Sequence, residues 1–240
     1  MTKDIAPEMR KIKLFLTDPH PCSYLSEQSA TTAFVDPQQP ICTETYSRLS
    51  ASGFRRSGQY IYTPHCMSCN ACIPVRVLAD TFKPTRSQKR CLKRNSDITV
   101  DVKHSIDLDE HYELYQRYID TRHCDGDMYP ATPEQYHDFI GKPWESTRFI
   151  EYRLEQELIA CAVSDWLSDG LSAVYTYFDP TKPSRSLGTF AILKQIDIIR
   201  AQVTPGYVYL GYWVKKSAKM NYKSKFSPFE LYAEDCWKEA

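Results

Sequence analysis

Three cysteines stand at even spacing in Cys66-x-x-Cys69-x-x-Cys72. Thiolates so placed can face one soft ion from a single loop. A fourth ligand has to come from elsewhere, and Cys22, Cys91 or His65 can supply it. Thiolates suit zinc and iron–sulfur clusters alike. The competing reading is a set of reduced thiols packed under a loop as small hydrophobes. Cys42, Cys124, Cys161 and Cys236 are scattered and read as packing residues.

The cations offer a second chemistry. Lys83, Arg86, Lys89, Arg90, Lys93 and Arg94 form one segment with no acid. Lys215, Lys216, Lys219, Lys223 and Lys225 form another. Lys plus Arg and Asp plus Glu both number 30, so the whole chain sets up no net field. The two segments are therefore either a local polyanion-binding face or plain solvated surface. Near the second run lie Tyr175, Tyr177, Phe178, Tyr207, Tyr209, Tyr212 and Trp213. Aromatics beside cations stack on unpaired bases, and in strands they also serve as core. A third feature is Arg185-Ser186-Leu187-Gly188-Thr189-Phe190. Acetyltransferases hold a pyrophosphate on a loop of this kind, at a helix N-terminus. Here Phe190 replaces the small residue, which argues for the fold and against acetyl-coenzyme A.

No Gly-x-Ser-x-Gly, no P-loop and no His-Glu-x-x-His occurs, which counts against hydrolases, ATPases and metalloproteases. Hydrophobic residues make up 42% and charged residues 25%, as in soluble globular proteins. No apolar run approaches a membrane span, and Met1 to Lys13 is polar, unlike a secretory signal. The nine cysteines are accordingly expected to be reduced or metal-bound.

These groups need elements to position them. Glu44 to Ser52 reads as a helix ended by Gly53. Arg55, Arg56 and Tyr60 to Tyr62 read as a strand, and Ile73 to Leu78 as another. Thr85-Arg86-Ser87-Gln88 is a capping box, so the first basic run opens a helix with one basic face. Leu108, Tyr112, Tyr115 and Ile119 have helical spacing, and Thr132-Pro133 starts a further helix. Arg148 to Leu154 and Leu158 to Trp166 read as a hairpin, Leu171 to Phe178 as a strand, Leu187 to Gln202 as a helix and Tyr207 to Val214 as a strand. The expected class is α+β. A Cys-rich N-terminal subdomain, 1–96, precedes an acyltransferase domain of the acetyltransferase (GNAT-like) type with a mixed sheet, 97–240.

Ordered stretches carry a family likeness. They are His20-Pro21-Cys22-Ser23-Tyr24-Leu25, Gly53-Phe54-Arg55-Arg56-Ser57-Gly58, Pro64-His65-Cys66 through Arg76, and Phe82-Lys83-Pro84 to Arg94. Tyr177-Phe178-Asp179-Pro180, Ser186-Leu187-Gly188, Tyr209-Leu210-Gly211-Tyr212, Lys219-Met220-Asn221-Tyr222-Lys223 and Phe226-Ser227-Pro228 continue the series. The chain resembles the arginyl-tRNA–protein transferase family, most closely its short bacterial branch. The longer relatives carry a second cysteine where Leu25 stands, and a Cys-Cys pair where this chain has Ala71-Cys72.

The resemblance implies a cytoplasmic aminoacyltransferase. It moves leucine from leucyl-tRNA to an N-terminal Asp or Glu of acceptor proteins and so marks them for degradation through a protease adaptor. Arginine as donor, an acetyl-coenzyme A acetyltransferase and a non-enzymatic zinc module binding RNA are the alternatives. The reaction is aminolysis of an ester. An α-amine of pKa near roughly 8 needs no strong base, so positioning and oxyanion stabilisation carry much of the work. No cofactor is required for the chemistry. Asp179 and Tyr212 are the catalytic candidates. Arg76, Arg55, Arg56 and Tyr24 are candidates for binding the acceptor. Lys83, Arg86, Lys89, Arg90, Lys93, Arg94, Lys219 and Lys223 are candidates for tRNA. Cys66, Cys69, Cys72 and Cys22 are the candidate ligands for zinc or a cluster. Phe178 and Tyr212 are expected to wall the leucyl pocket.

Overall fold

The computed structural model describes residues 12–126 and 128–240; most of the polar opening of the chain, up to residue 11, lies outside the described residues. Strands β1 (Leu14–Leu16), β4 (Thr32–Val35), β5 (Arg55–Ser57) and β6 (Tyr60–Pro64) form an antiparallel sheet of order β1-β4-β6-β5. Between its first two strands, β2 (His20–Pro21) and β3 (Ser29–Ala30) pair with each other. Helix α1 (Thr43–Ala51) ends at Gly53, whose φ of +89° only glycine adopts without strain. The stretch expected as one strand from Arg55 to Tyr62 is a hairpin of β5 and β6.

The main sheet has eight strands. They are β7 (Ile73–Leu78), β8 (Ile98–Lys103), β9 (Thr147–Leu154), β10 (Glu157–Leu167), β11 (Gly170–Phe178), β12 (Tyr207–Trp213), β13 (Phe229–Ala233) and β14 (Cys236–Glu239), in the order β14-β13-β7-β12-β11-β10-β9-β8. Only β11 and β12 run parallel, joined by helix α5 (Leu187–Gln202), so the sheet is mixed and the class is α+β. Both sides of the expected boundary at residue 96 build this one sheet. β7, from the first part of the chain, lies between β12 and β13 from the last, and a cut at 96 would remove a central strand.

Alternation along β10 divides the core. Ala160 and Ala162 join Phe190, Leu193 and Ile196 of α5 on one face. Cys161 and Val163 join α3 (Leu108–Arg122) and α4 (Pro133–Phe139), with Leu114, Tyr115 and Tyr136, on the other. Helix α2 (Arg86–Arg94) is held at its start by both bonds of the capping box. Its Gln88 and Cys91 are buried, while Arg86, Lys89, Arg90, Lys93 and Arg94 are exposed as one basic face. Among the described residues no helix is long and apolar enough to cross a membrane.

Candidate functional site

The parallel pair β11 and β12 holds together for only three residues, Gly170–Ser172 against Tyr207–Tyr209. Beyond them the strands part, and Arg55 of β5 fills the gap. Its guanidinium donates to Ser172 Oγ (2.8 Å), to the Ala173 carbonyl (2.6 Å) and to the Tyr209 carbonyl (3.2 Å). Two of these acceptors are backbone carbonyls just where the ladder ends, so the arginine replaces missing strand bonds. β12 then bulges between Tyr209 and Gly211. Gly211 has φ +81°, and a Cβ there would lie 3.2 Å from Arg55 Nε. Only glycine gives both the backbone turn and the room for the guanidinium.

Lys223 approaches the same bulge from the far end of the chain. Its ammonium donates to the Tyr212 carbonyl, next to Gly211, and the residue is 7% exposed. Burial pushes its pKa down to about 7, and the Arg55 charge adds to that, against a smaller opposing effect of Cys72. The Tyr222 ring centroid is 5.9 Å from Nζ. The Tyr212 hydroxyl donates to the Gly53 carbonyl (2.9 Å) and contacts the Tyr62 carbonyl (3.3 Å), which ties β12 to the β5–β6 hairpin. Arg55, Tyr62, Tyr212, Tyr222 and Lys223 therefore gather at the opening between β11 and β12.

Several expected site residues sit elsewhere. Arg56 forks onto Asp165 at 2.6 and 2.8 Å and also donates to the Gly58 carbonyl. Tyr46 and Thr147 complete the Asp165 shell, and the arginine is a buried structural pair rather than an acceptor contact. Arg76 does point away from Val75 and Val77, as alternation requires, but not into a free cleft. It bonds Glu230 at 2.7 Å, donates to the Tyr209 hydroxyl at 3.1 Å and lies over the Tyr207 and Trp237 rings. With an acid and two aromatic faces already in place, Arg76 leaves the acceptor set. Asp179 accepts from Thr181 twice and from Lys182. Burial works to raise its pKa, yet those donors outweigh it and hold the carboxyl below the ordinary range. Asp179 is thus the lock of a turn, not a base. Lys223 leaves the tRNA set because it is buried. Lys83 is exposed with the α2 face, and Lys219 is exposed and pairs with Asp125 at 2.9 Å.

Cys22, Tyr24, Cys66, Cys69 and Cys72 line one cleft beside this opening. Burial, then Cys22, Cys66 and Cys69, push the Cys72 thiol up to about 11, so it stays protonated at neutral pH. Among the described residues no three His, Cys, Asp or Glu side chains form a group that could hold an ion. The four cysteines of the expected ligand set nonetheless share this one cleft, and no step below runs through a metal.

The Phe178 ring packs on Tyr118, 4.8 Å between ring centroids, and a Cβ on Gly188 would meet it at 3.2 Å. Phe190 does not crowd the Arg185–Gly188 loop. Its ring is 1% exposed and packs on Tyr152, so crowding is not the reason to set acetyl-coenzyme A aside. Arg185 forks onto Asp97 at 2.8 and 2.9 Å.

A family model described as the N terminus of arginine-tRNA-protein transferase matches residues 20–90, and one for the C terminus matches residues 110–233. The chain belongs to this family. Among its relatives, a Teredinibacter turnerae protein named aspartate/glutamate leucyltransferase is 53% identical over 96% of this chain and 95% of its own. One of the same name from Saccharophagus degradans is 51% identical over 96% and 98%. A crystal structure of a conserved protein of unknown function from Bacteroides thetaiotaomicron matches the fold with a TM-score of 0.50, at 11% identity, over 67% of this chain and 57% of that one. Arg55, Gly211 and Lys223, far apart in sequence, meet at one bulge. Lys223 as a buried group is what sequence reasoning missed. The one signal available was a lysine whose run contains no acid.

Proposed function

We propose that this transferase moves leucine from leucyl-tRNA onto the N-terminal Asp or Glu of acceptor proteins. The near-complete match to relatives named aspartate/glutamate leucyltransferase carries the reading. In the reaction the acceptor's α-amine attacks the ester carbonyl of leucyl-tRNA. The C–N bond forms, the C–O bond to the tRNA ribose breaks, and the amine's proton ends on the leaving hydroxyl. The exposed cations of α2, with Lys83 and Lys219, suit the tRNA backbone. The opening between β11 and β12 suits the reacting ends, and a strand–helix–strand crossover beside such an opening supports a GNAT-like acyltransferase core. The reaction takes place in the cytoplasm, where charged tRNA is, and leaves the acceptor with a destabilising N-terminus that a protease adaptor reads.

The test mixes purified protein with labelled leucyl-tRNA and peptides beginning with Asp or Glu. Labelled peptide from leucyl-tRNA, and little from arginyl-tRNA, is expected. No product from leucyl-tRNA overturns the reading, and product from arginyl-tRNA alone reassigns the donor.

A further inference from the structure

Arg55 and Lys223 pose an electrostatic problem. They are 7% exposed each, and they flank the same bulge, one against Gly211 and one on the Tyr212 carbonyl. All their hydrogen bonds go to neutral groups: a serine hydroxyl and backbone carbonyls. Among the described residues neither has a carboxylate partner. The other buried arginines among the described residues do: Arg56 has Asp165 and Arg76 has Glu230. A buried charge without a counter-ion is costly, and two of them at one bulge leave this point of the fold short of an anion. Arg55 still has Nε unbonded, and Lys223 keeps two N–H groups beyond its bond to Tyr212.

We infer that Arg55 and Lys223, at the bulge of β12, form the subsite that takes the side-chain carboxylate of the acceptor's first residue. The inference rests on the proposed transfer to acidic N-termini and adds where the acid is read. A carboxylate fits better than a tRNA phosphate here. The pair is buried beside Tyr62, Tyr212 and Tyr222, and a short carboxylate side chain reaches buried cations more readily than a diester with a nucleoside on each side. Tyr222, beside Lys223, is 44% exposed. The bound acid restores the missing counter-ion and draws Lys223 fully into its charged form. An uncharged Asn or Gln in the same place leaves two cations unpaired, so the site rejects it.

The test uses the full chain. Leucyl-tRNA is the donor, and peptides beginning with Asp, Glu, Asn and Gln are the acceptors. Transfer by the unaltered protein to the Asp peptide tests the function itself, independently of the subsite. Given that transfer, Lys223→Met is expected to raise the KM for the Asp peptide at least tenfold. It should shrink the preference for Asp over Asn, while Kd for leucyl-tRNA stays within twofold. Retained tRNA binding also reports that the variant is folded. Should it not fold, the unaltered protein is methylated with formaldehyde and a borane at neutral pH, and lysines are mapped by mass spectrometry. The Asp peptide is expected to protect Lys223, and the Asn peptide and uncharged tRNA are not. Unchanged acceptor KM in Lys223→Met, weaker tRNA binding with a flatter salt dependence, or protection by tRNA in place of the Asp peptide would each overturn the assignment.

Discussion

Lys223 and Arg56 are both buried cations, and they meet burial differently. Arg56 is matched by Asp165, which is itself 0% exposed. Arg56→Ala strands that carboxylate and is expected to destabilise the fold by about 3–5 kcal/mol, read from urea unfolding. Lys223 has no acid, and burial makes its proton easier to lose. Its pKa of about 7 lies below the value of an unfolded lysine, so between those two values the unfolded chain binds the extra proton. Stability contributed by this group therefore rises with pH above 7 and is lost as pH falls toward it. Lys223→Met removes that dependence: from pH 7 to pH 9 the parent should gain stability steadily relative to the variant, and a constant difference would contradict the burial argument. For Arg76, held by Glu230 and two aromatic rings, the expected cost of Arg76→Ala is stability, about 1–3 kcal/mol, with the acceptor KM unmoved. A raised acceptor KM with unchanged stability would return Arg76 to the acceptor site.

Helix α2 shows the element scale most plainly. Its box, Thr85 with Gln88, and its outward Arg86, Lys89, Arg90 and Lys93 are separable. Thr85→Ala should cost about 1 kcal/mol of stability and leave tRNA binding alone. Replacing the four cations by Ala should weaken leucyl-tRNA binding and flatten its logarithmic salt dependence by roughly 0.7–0.9 for each phosphate no longer neutralised. An unchanged slope would mean the face is only solvated. This helix, α5 and the β9–β11 meander were legible in the sequence because capping chemistry and period are local signals. β1, β4, β13 and β14 were not. These four have five residues or fewer, too short for a period-two pattern to stand out; β8 does alternate, Ile98, Val100 and Val102 against Thr99, Asp101 and Lys103, and that signal was passed over. The site was half legible. Arg55 stood among the acceptor candidates on family stretches alone. Its partners Ser172, Ala173 and Tyr209 come from strands more than a hundred residues away, and no local pattern encodes them. Lys223 sits in a run of lysines that reads as surface, and only the β12 bulge makes it interior.

At the scale of the molecule, the two matched family segments are one body. Expressed apart, residues 1–96 and 97–240 should show no cooperative unfolding, because the first holds β7 without neighbours and the second lacks the strand between β12 and β13. Two independently melting halves would contradict that architecture. The same interleaving imposes a timetable on synthesis. β7 is made early, yet both strands that flank it come from the last part of the chain, and Phe229–Ala233 emerges almost last of all. Throughout translation, then, a strand with two open edges waits for partners. Its own sequence is suited to waiting. Pro74 removes a ladder donor, and Arg76 sets a charge amid the apolar Val75, Val77 and Leu78, both of which discourage pairing with the wrong chain. Glu230 then arrives on β13 opposite Arg76 in the finished register, so the charge that guards the nascent strand becomes the one that recognises its proper neighbour.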